Sequence, residues 1–163
     1  MLELTRNLGP TDAAVADRLQ LDYASRCRAR LKVRLESGVE AGLFLEYGRV
    51  LNEGDVLTGD DGVLVRVECK PEPVITARTE DRQLLARGCY HLGNRHASLQ
   101  IGETWLRFCP DPVLEYLVGQ LGFEVVPETA PFSPEPGAYA GHGQQTRHEG
   151  RGHHEGHSTR PAS

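Results

Sequence analysis

The sequence predicts an α+β protein with three regions: an all-β N-terminal domain at residues 1–71, a ferredoxin-like domain at 72–127 and a disordered tail at 128–163. Apolar and polar residues alternate along the first region, which is the period of a half-exposed strand. A helical period appears only after Pro71. The segment from Ala140 to Ser163 contains no Val, Ile, Leu, Met, Phe, Tyr or Trp, so it lacks the residues of a core.

The N-terminal region is predicted to be a small β-barrel or sandwich. From Cys27 to Leu35 every second residue is apolar and the residues between are arginine or lysine, so one face of this strand should be buried. The same alternation recurs at residues 43–47 and 63–69, and glycine-containing turns separate the runs. Cys27 and Cys69 fall in the inward phase, so we expect small core residues rather than metal ligands.

The second region is predicted to be ferredoxin-like because its elements follow the order β-α-β-β-α-β. Pro71-Glu72-Pro73 forms a stiff link that marks the boundary. The first helix is expected to close at Gly93-Asn94, which suit a left-handed cap, whereas Asp111 and Gly122 bound the second helix. The expected elements are a strand at 74–77, a helix at 81–92, a hairpin with strands at 97–101 and 104–108, a helix at 111–122 and a strand at 123–126.

Composition argues against several classes of function. The formal net charge of −5 and the pI near 5.8 do not suit a nucleic-acid-binding protein, whose affinity rests on a basic surface. No apolar run is long enough for a signal sequence or a membrane span, so we expect a cytoplasmic protein without a membrane partner. The four cysteines never form a CxxC pair and are expected to be free thiols in that reducing compartment.

Five of the seven histidines lie in the tail, at His142, His148, His153, His154 and His157. A histidine-rich tract on a flexible chain is typical of metal binding, because neutral imidazole suits nickel, copper and zinc. A purification tag is the alternative, but tags are usually contiguous and only His153 and His154 adjoin. We therefore interpret the tail as metal-binding.

The other two histidines, His91 and His96, flank the end of the first predicted helix. His91 follows Leu84 by seven residues, which places it near the packed helical face and favours a structural role over a role as metal ligand. His96 lies in the strand phase opposite Ala97 and Leu99, so it is expected to face out of the core. An exposed histidine of this kind is by itself uninformative.

Four segments of the chain are distinctive when taken together: Tyr90–Ile101, which contains His-Leu-Gly-Asn-Arg-His, Gly54–Leu57, Asp111–Leu114, and Pro131–Tyr139, which is Pro-Phe-Ser-Pro-Glu-Pro-Gly-Ala-Tyr. In combination they resemble the UreE family, the nickel metallochaperones of urease maturation. The first and last of these are specific in combination, and the resemblance spans essentially the whole chain.

The resemblance implies a nickel(II)-binding homodimer in which His96, the last residue of Gly-Asn-Arg-His, is the central metal ligand paired across the two-fold axis. Tail imidazoles would then supply the remaining donors, and zinc or copper would compete for them. It also implies delivery of nickel to the urease apoprotein with a GTPase accessory partner. This chain contains no GxxxxGK[ST] phosphate loop, so we expect nucleotide hydrolysis to belong to that partner.

The stretch Phe108-Cys109-Pro110-Asp111-Pro112 departs from some family members, which carry further histidines at this place. We therefore expect no auxiliary imidazole site at that place. Cys109 and His91 remain the candidates for auxiliary ligands, although burial at the strand end is the favoured role of Cys109.

Two other classes of function compete with this interpretation. A zinc hydrolase is disfavoured because the sequence has no HExxH motif and no serine nucleophile elbow, so we expect a protein that is not an enzyme. A nickel, zinc or copper buffer without a delivery role is the closer alternative, because the tail alone would serve it. The separate β-rich domain favours delivery, since it offers a surface to a protein partner.

Overall fold

The computed structural model describes residues 1–137. Its N-terminal part consists of strands and one short helix. In chain order they are β1 (Leu2–Leu4), β2 (Arg6–Pro10), β3 (Asp17–Leu21), α1 (Tyr23–Arg26), β4 (Arg30–Arg34), β5 (Glu40–Phe44), β6 (Asp55–Thr58) and β7 (Leu64–Cys69). Strands β1, β5 and β4 form one sheet in that order, and β2, β6, β7 and β3 form a second. The prediction of a strand-built N-terminal domain is confirmed.

The two N-terminal sheets share one hydrophobic core. Both contribute buried side chains to it, among them Leu4, Val33 and Leu43 from the first sheet and Leu19, Leu57 and Val65 from the second. Each such side chain stabilises the fold by about 1.5–3 kcal/mol through removal of apolar surface from water. Neither sheet closes on itself within residues 1–70, so the arrangement is a sandwich and the barrel alternative is wrong.

The chain around Cys27 differs from the predicted strand. Asp22 caps a single helical turn by accepting a hydrogen bond from the Ser25 N–H at 2.8 Å, and Cys27 is the exposed residue that ends this turn. The alternating sequence becomes a strand only from Arg30. The expected core role of Cys27 is therefore wrong, because the cap at Asp22 overrides the alternation, whereas Cys69 is buried in β7 as predicted.

The second part of the chain has the predicted order β-α-β-β-α-β. Its elements are β8 (Glu72–Arg78), α2 (Arg82–Asn94), β9 (Gln100–Ile101), β10 (Trp105–Phe108), α3 (Pro112–Leu121) and β11 (Glu124–Ala130). The strands lie in the order β11-β8-β10-β9, and every neighbouring pair is antiparallel. Both helices contribute to one core, where Leu92, Leu106 and Val118 are fully buried. This is the expected ferredoxin-like arrangement.

Local capping signals determine the bounds of α3. The Asp111 side chain accepts hydrogen bonds from the N–H groups of Val113 and Leu114, and Pro112 occupies the first helical position. Gly122 ends the helix in the left-handed conformation, with φ of 107°. These three features confirm the prediction.

Neither α3 nor any other helix within residues 1–137 is long and apolar enough to cross a membrane.

The chain after Val126 departs from the prediction of a tail that begins at residue 128. Strand β11 continues to Ala130 and pairs along its whole length with β8, and Phe132 beyond it is 0% exposed. The expected boundary therefore falls inside β11. We name the segment Pro131–Glu135 the strap, because it contacts both domains of the protein.

Candidate metal centre

Helix α2 carries His91 in its last turn and precedes His96. Asp81 begins the helix by accepting hydrogen bonds from the N–H groups of Gln83 and Leu84 at 2.9 and 3.2 Å. The helix continues through Gly93-Asn94 and is capped at Arg95. Neither Gly93 nor Asn94 has a positive φ, so the prediction of a left-handed cap at these two residues is wrong.

The left-handed position at this helix end is His96, with φ of 56°. Its N–H donates to the carbonyl of Gly93 at 3.0 Å, and the N–H of Ala97 donates to the carbonyl of Leu92 at 3.2 Å. This pair of bonds forms a Schellman motif, in which glycine usually occupies the place that His96 has here. No other non-glycine residue within residues 1–137 has a positive φ.

The backbone at His96 is therefore fixed while the residue itself is exposed. Leu92 and Ala97, on either side of the turn, pack into the core of the domain and hold it in place. A left-handed residue with a Cβ costs roughly 1–2 kcal/mol, and such strain concentrates at functional positions. The expected exposure of His96 is confirmed, although it arises in a turn and not in a strand, since β9 begins only at Gln100.

His91 is exposed as well, so its expected packing against the core is wrong. Its ring lies edge-on to the ring of Tyr90, with 5.3 Å between the centroids. The buried stripe of α2 includes Gly88 and Leu92, and a helix turns by about 100° between His91 and Leu92. The spacing from Leu84 misleads because that residue is itself only partly buried, at the margin of the stripe.

Cys109 follows β10 and is exposed, so its expected burial at the strand end is wrong. Partial desolvation of the sulfur, followed by the nearby Glu72 carboxylate, raises the pKa of the Cys109 thiol. A raised pKa keeps the thiol protonated at neutral pH, whereas the thiolate is the form that binds metals. A metal that binds Cys109 would have to displace this proton, and the role of Cys109 as an auxiliary ligand stays a prediction.

Within residues 1–137, no three side chains of His, Cys, Asp or Glu come together in a way that could hold a metal ion. The five tail histidines predicted as ligands lie outside these described residues; they are His142, His148, His153, His154 and His157. A bound transition metal takes four or so donors from protein and water, so the residues that the structure describes do not hold a complete site within one chain.

The end of the domain that carries the left-handed turn also exposes apolar side chains. Strands β9 and β10 are antiparallel, and Gln100 at the start of β9 pairs with Arg107 near the last residue of β10. Helix α2 leads into the start of β9 and α3 follows the last residue of β10. The C-terminus of α2 and the N-terminus of α3 therefore lie at the same end of the sheet. Tyr90 on α2 is 66% exposed, and Val113 and Tyr116 on α3 are 59% and 70% exposed. Exposed aromatic and aliphatic side chains are typical of protein interfaces.

The sequence analysis does not predict that Phe132 and Arg26 are buried against each other. Phe132 in the strap is fully buried, and the guanidinium of Arg26 donates a hydrogen bond to its carbonyl. The available signal was that Phe132 is the one large apolar residue in a proline-rich run from Pro127 to Gly137. No comparable signal points to Arg26, because its partner lies 106 residues away in the chain.

Two family models match this chain. One, described as "UreE urease accessory protein, N-terminal domain", matches residues 2–70. The other, described as "UreE urease accessory protein, C-terminal domain", matches residues 72–159. The second match includes the His96 turn and the strap.

Three proteins that carry the name "Urease accessory protein UreE" illustrate the similarity. The protein from Marinobacter nauticus is 48% identical, with 91% of this chain and 88% of the relative covered. The protein from Pseudoalteromonas translucida is 46% identical, with 91% of each chain covered. The protein from Pseudomonas putida is 48% identical, with 85% of this chain and 86% of the relative covered. The chain therefore belongs to the UreE family of urease accessory proteins.

Proposed function

We propose that this chain is a nickel metallochaperone, which captures Ni(II) on histidines and delivers it to the urease apoprotein with a GTPase accessory partner. Membership of a family of urease accessory proteins supports the link to urease. The observation that carries the metal-binding part is the exposed His96, fixed at φ of 56° in a closed turn. Because the backbone of this residue is already fixed, metal binding has to order only its side chain, which favours affinity.

A single imidazole per chain suits a site that two chains share. A two-fold axis makes each His96 half of one site, and Tyr90, Val113 and Tyr116 offer apolar surface for the homodimer that this requires. We propose that the His96 pair binds the first nickel. The tail histidines then supply further donors; they are His142, His148, His153, His154 and His157.

Imidazole ligation also suits the release of the metal. The proposed ligands are neutral side chains, so a donor from the receiving protein can displace them one at a time. Zinc and copper compete for the same donors, because imidazole suits these metals too. Neither His91 nor Cys109 is required in this scheme.

A metal buffer is the second candidate function, and the five tail histidines favour it equally. A buffer needs abundant ligands and no partner. The β-sandwich ahead of the metal-binding domain favours delivery, because a separate folded domain offers a surface that a partner can recognise.

Activation of urease apoprotein tests the proposal against the buffer. We expect the nickel-loaded parent to bind the apoprotein and its GTPase, and to activate urease in the presence of a chelator that removes free nickel. The matched control is His96→Gly, which suits the left-handed turn but lacks the imidazole. It should retain the association and lose most of the activation. A parent that binds nickel but neither associates nor activates would favour the buffer.

A further inference from the structure

The first N-terminal sheet carries a row of cations along an edge strand. Strand β4 lies at the edge of the sheet, next to β5. Arg30, Lys32 and Arg34 alternate along β4 with residues that face the core, and all three are exposed. Side chains two residues apart on a strand are about 7 Å from each other. The three cations therefore form a line on the outer face of a chain whose net charge is −5.

The three cations differ in their partners. Glu40 on β5 forms ion pairs with Lys32 at 3.2 Å and with Arg34 at 3.5 Å. Within residues 1–137, no carboxylate lies within 4.0 Å of the Arg30 guanidinium. Its Nε–H donates a hydrogen bond to the phenol oxygen of Tyr47 at 3.1 Å, and its two terminal nitrogens have no partner in that part of the chain. Arg30 therefore has two donors left for an acceptor from outside.

Two aromatic rings hold this guanidinium in place. Its central carbon lies 5.6 Å from the centroid of the Phe44 ring and 5.8 Å from that of Tyr47, which is the range of cation–π attraction. Phe44 is the direct partner of Arg30 across the two strands. Its ring can lie over Gly42 because that residue has no side chain, since a Cβ there would be 2.6 Å from the ring. The guanidinium is thus ordered before any ligand arrives.

The same face exposes apolar surface. Tyr47 is 72% exposed, and Phe44 is 37% exposed although it lies on a sheet. Met1, which is 73% exposed, extends its terminal methyl group over Gly42 as well. Exposed aromatic side chains beside an arginine are the composition that is enriched at the centres of protein–protein interfaces.

We infer that this surface, which we name the Arg30 face, is a docking site for an acidic segment of a partner protein. It consists of Arg30, Lys32, Arg34, Phe44 and Tyr47. The two terminal nitrogens of Arg30 match the two oxygens of a carboxylate in a paired, planar contact. The inference rests on the proposed function, because delivery of nickel requires a partner that the β-sandwich can recognise.

Charge favours an acidic protein segment over other occupants. In a symmetric contact, a second copy of this chain would place its own row of cations opposite the first, and like charges directly opposite are destabilising. A nucleic acid or an anionic membrane would be repelled by the net negative charge of the chain. A short acidic segment meets only the local cations with its carboxylates, and its apolar side chains can contact the exposed rings.

The dissociation constants of full-length variants with the urease apoprotein and with its GTPase, each measured separately, test the inference. Arg30→Gln removes the charge, whereas Arg30→Lys keeps the charge and loses the planar pair of donors. Arg18→Gln is the matched control. It removes the same charge from an exposed arginine of the second sheet, where Arg18 pairs with Glu68 at 3.0 Å. Arg30 is exposed, so the variants should keep the melting temperature of the parent.

A synthetic peptide in which Glu alternates with Val is the direct probe, because its carboxylates repeat with the spacing of the cations. The same peptide with Gln in place of Glu is its control. Inorganic polyphosphate is the probe for an anion without peptide chemistry. Each is added as a competitor to the parent and its partner.

We expect Arg30→Gln to weaken the association with the partner that carries the acidic segment about tenfold, which is the effect of one charge-assisted hydrogen bond. Arg30→Lys should weaken it less. Arg18→Gln should bind the partner as the parent does, and all three variants should bind nickel as the parent does, because the Arg30 face lies outside the second domain. The Glu peptide should compete, and the Gln peptide should not.

Four results would overturn the inference. They are unchanged association of Arg30→Gln with both partners, an equal loss in Arg18→Gln, competition by polyphosphate as strong as that by the Glu peptide, and loss of the homodimer in Arg30→Gln. The second would assign the effect to overall charge, the third to a general anion site and the fourth to contact between copies. A parent that associates with neither partner would instead refute the proposed delivery, and this is visible without any variant.

Discussion

The turn at His96 and the strap come from the two most specific sequence motifs, yet the structure uses them in opposite ways. The turn is exposed and is closed by two backbone hydrogen bonds at its own helix end. The strap buries Phe132 and is held by side chains from both domains. The turn at His96 is closed by backbone groups, so its imidazole is free to bind a ligand. The phenyl ring of Phe132 is buried, so it cannot contact one. The comparison teaches that His96 is suited to bind a metal, whereas the strap is suited to hold the two domains together.

Replacement of the buried anchor should have the largest effect on stability. Phe132→Ala removes a fully buried ring from the junction of the two domains, so we expect a loss of about 3–5 kcal/mol in the free energy of unfolding. Urea denaturation measures it. Phe132→Leu, which keeps most of the apolar volume, should lose clearly less. A loss below about 1 kcal/mol for the alanine variant would mean that the strap is not packed in solution.

Replacement of His96 should change stability less, and in a direction that depends on the new residue. The free energy of unfolding of His96→Gly should be about 1 kcal/mol higher than that of His96→Ala, because glycine adopts the left-handed conformation without the Cβ penalty. The two variants share the loss of the imidazole, so their difference isolates the backbone. His91→Ala, at an exposed helical position, should stay within about 0.5 kcal/mol of the parent. Equal stability of the two His96 variants would contradict a left-handed turn.

Sequence patterns succeeded where the determining contacts are local. Helix α3 illustrates this, because Asp111, Pro112 and Gly122 specify its ends through neighbours within three or four residues. The order of elements in the second domain followed for the same reason. Each change of period and each turn signal lies within the segment that it describes.

The remaining errors come from contacts between distant parts of the chain or from competing local signals. Gly93-Asn94 are good left-handed residues, but packing of Leu92 and Ala97 extends the helix and moves the left-handed position to His96. Burial of Phe132 depends on Arg26 and Tyr23, about a hundred residues earlier in the chain, so no local pattern shows it. The identity of His96 as a ligand came from the family resemblance and remains a prediction.

Low pH should slightly destabilise the C-terminal end of β11, which precedes the strap in the chain. A hydrogen bond from Arg78 is the main cause of the lowered pKa of Glu128. A lowered folded-state pKa means that this contribution is complete above the unfolded value of about 4.3 and is lost as the pH falls through the folded value. Glu128→Gln should therefore cost less than about 1 kcal/mol at neutral pH, and the cost should vanish in acid. Urea denaturation of the parent and the variant, repeated about every half pH unit from pH 7 to pH 3, measures the difference in their free energy of unfolding. A difference that does not change with pH would contradict this prediction.

Removal of the tail should have the smallest effect on stability. A chain that ends at Tyr139 keeps the whole strap and every residue of both cores, and loses five histidines. We expect the melting temperature of the metal-free protein to stay nearly unchanged while nickel binding falls to about one ion per dimer, more weakly held. Differential scanning calorimetry and a nickel titration measure the two effects. One nickel per monomer at unchanged affinity would place a complete site within one folded subunit.

A nickel titration of the full-length His96→Gly variant tests the central claim most directly. The claim is that His96 is the metal ligand of the folded domains, and the glycine variant removes the imidazole while it keeps the turn. We expect the tightest nickel site of the parent to be lost, with an unchanged melting temperature or a slightly higher one, and His91→Ala to bind as the parent does. A His96→Gly protein that still binds its first nickel as tightly as the parent would contradict the claim.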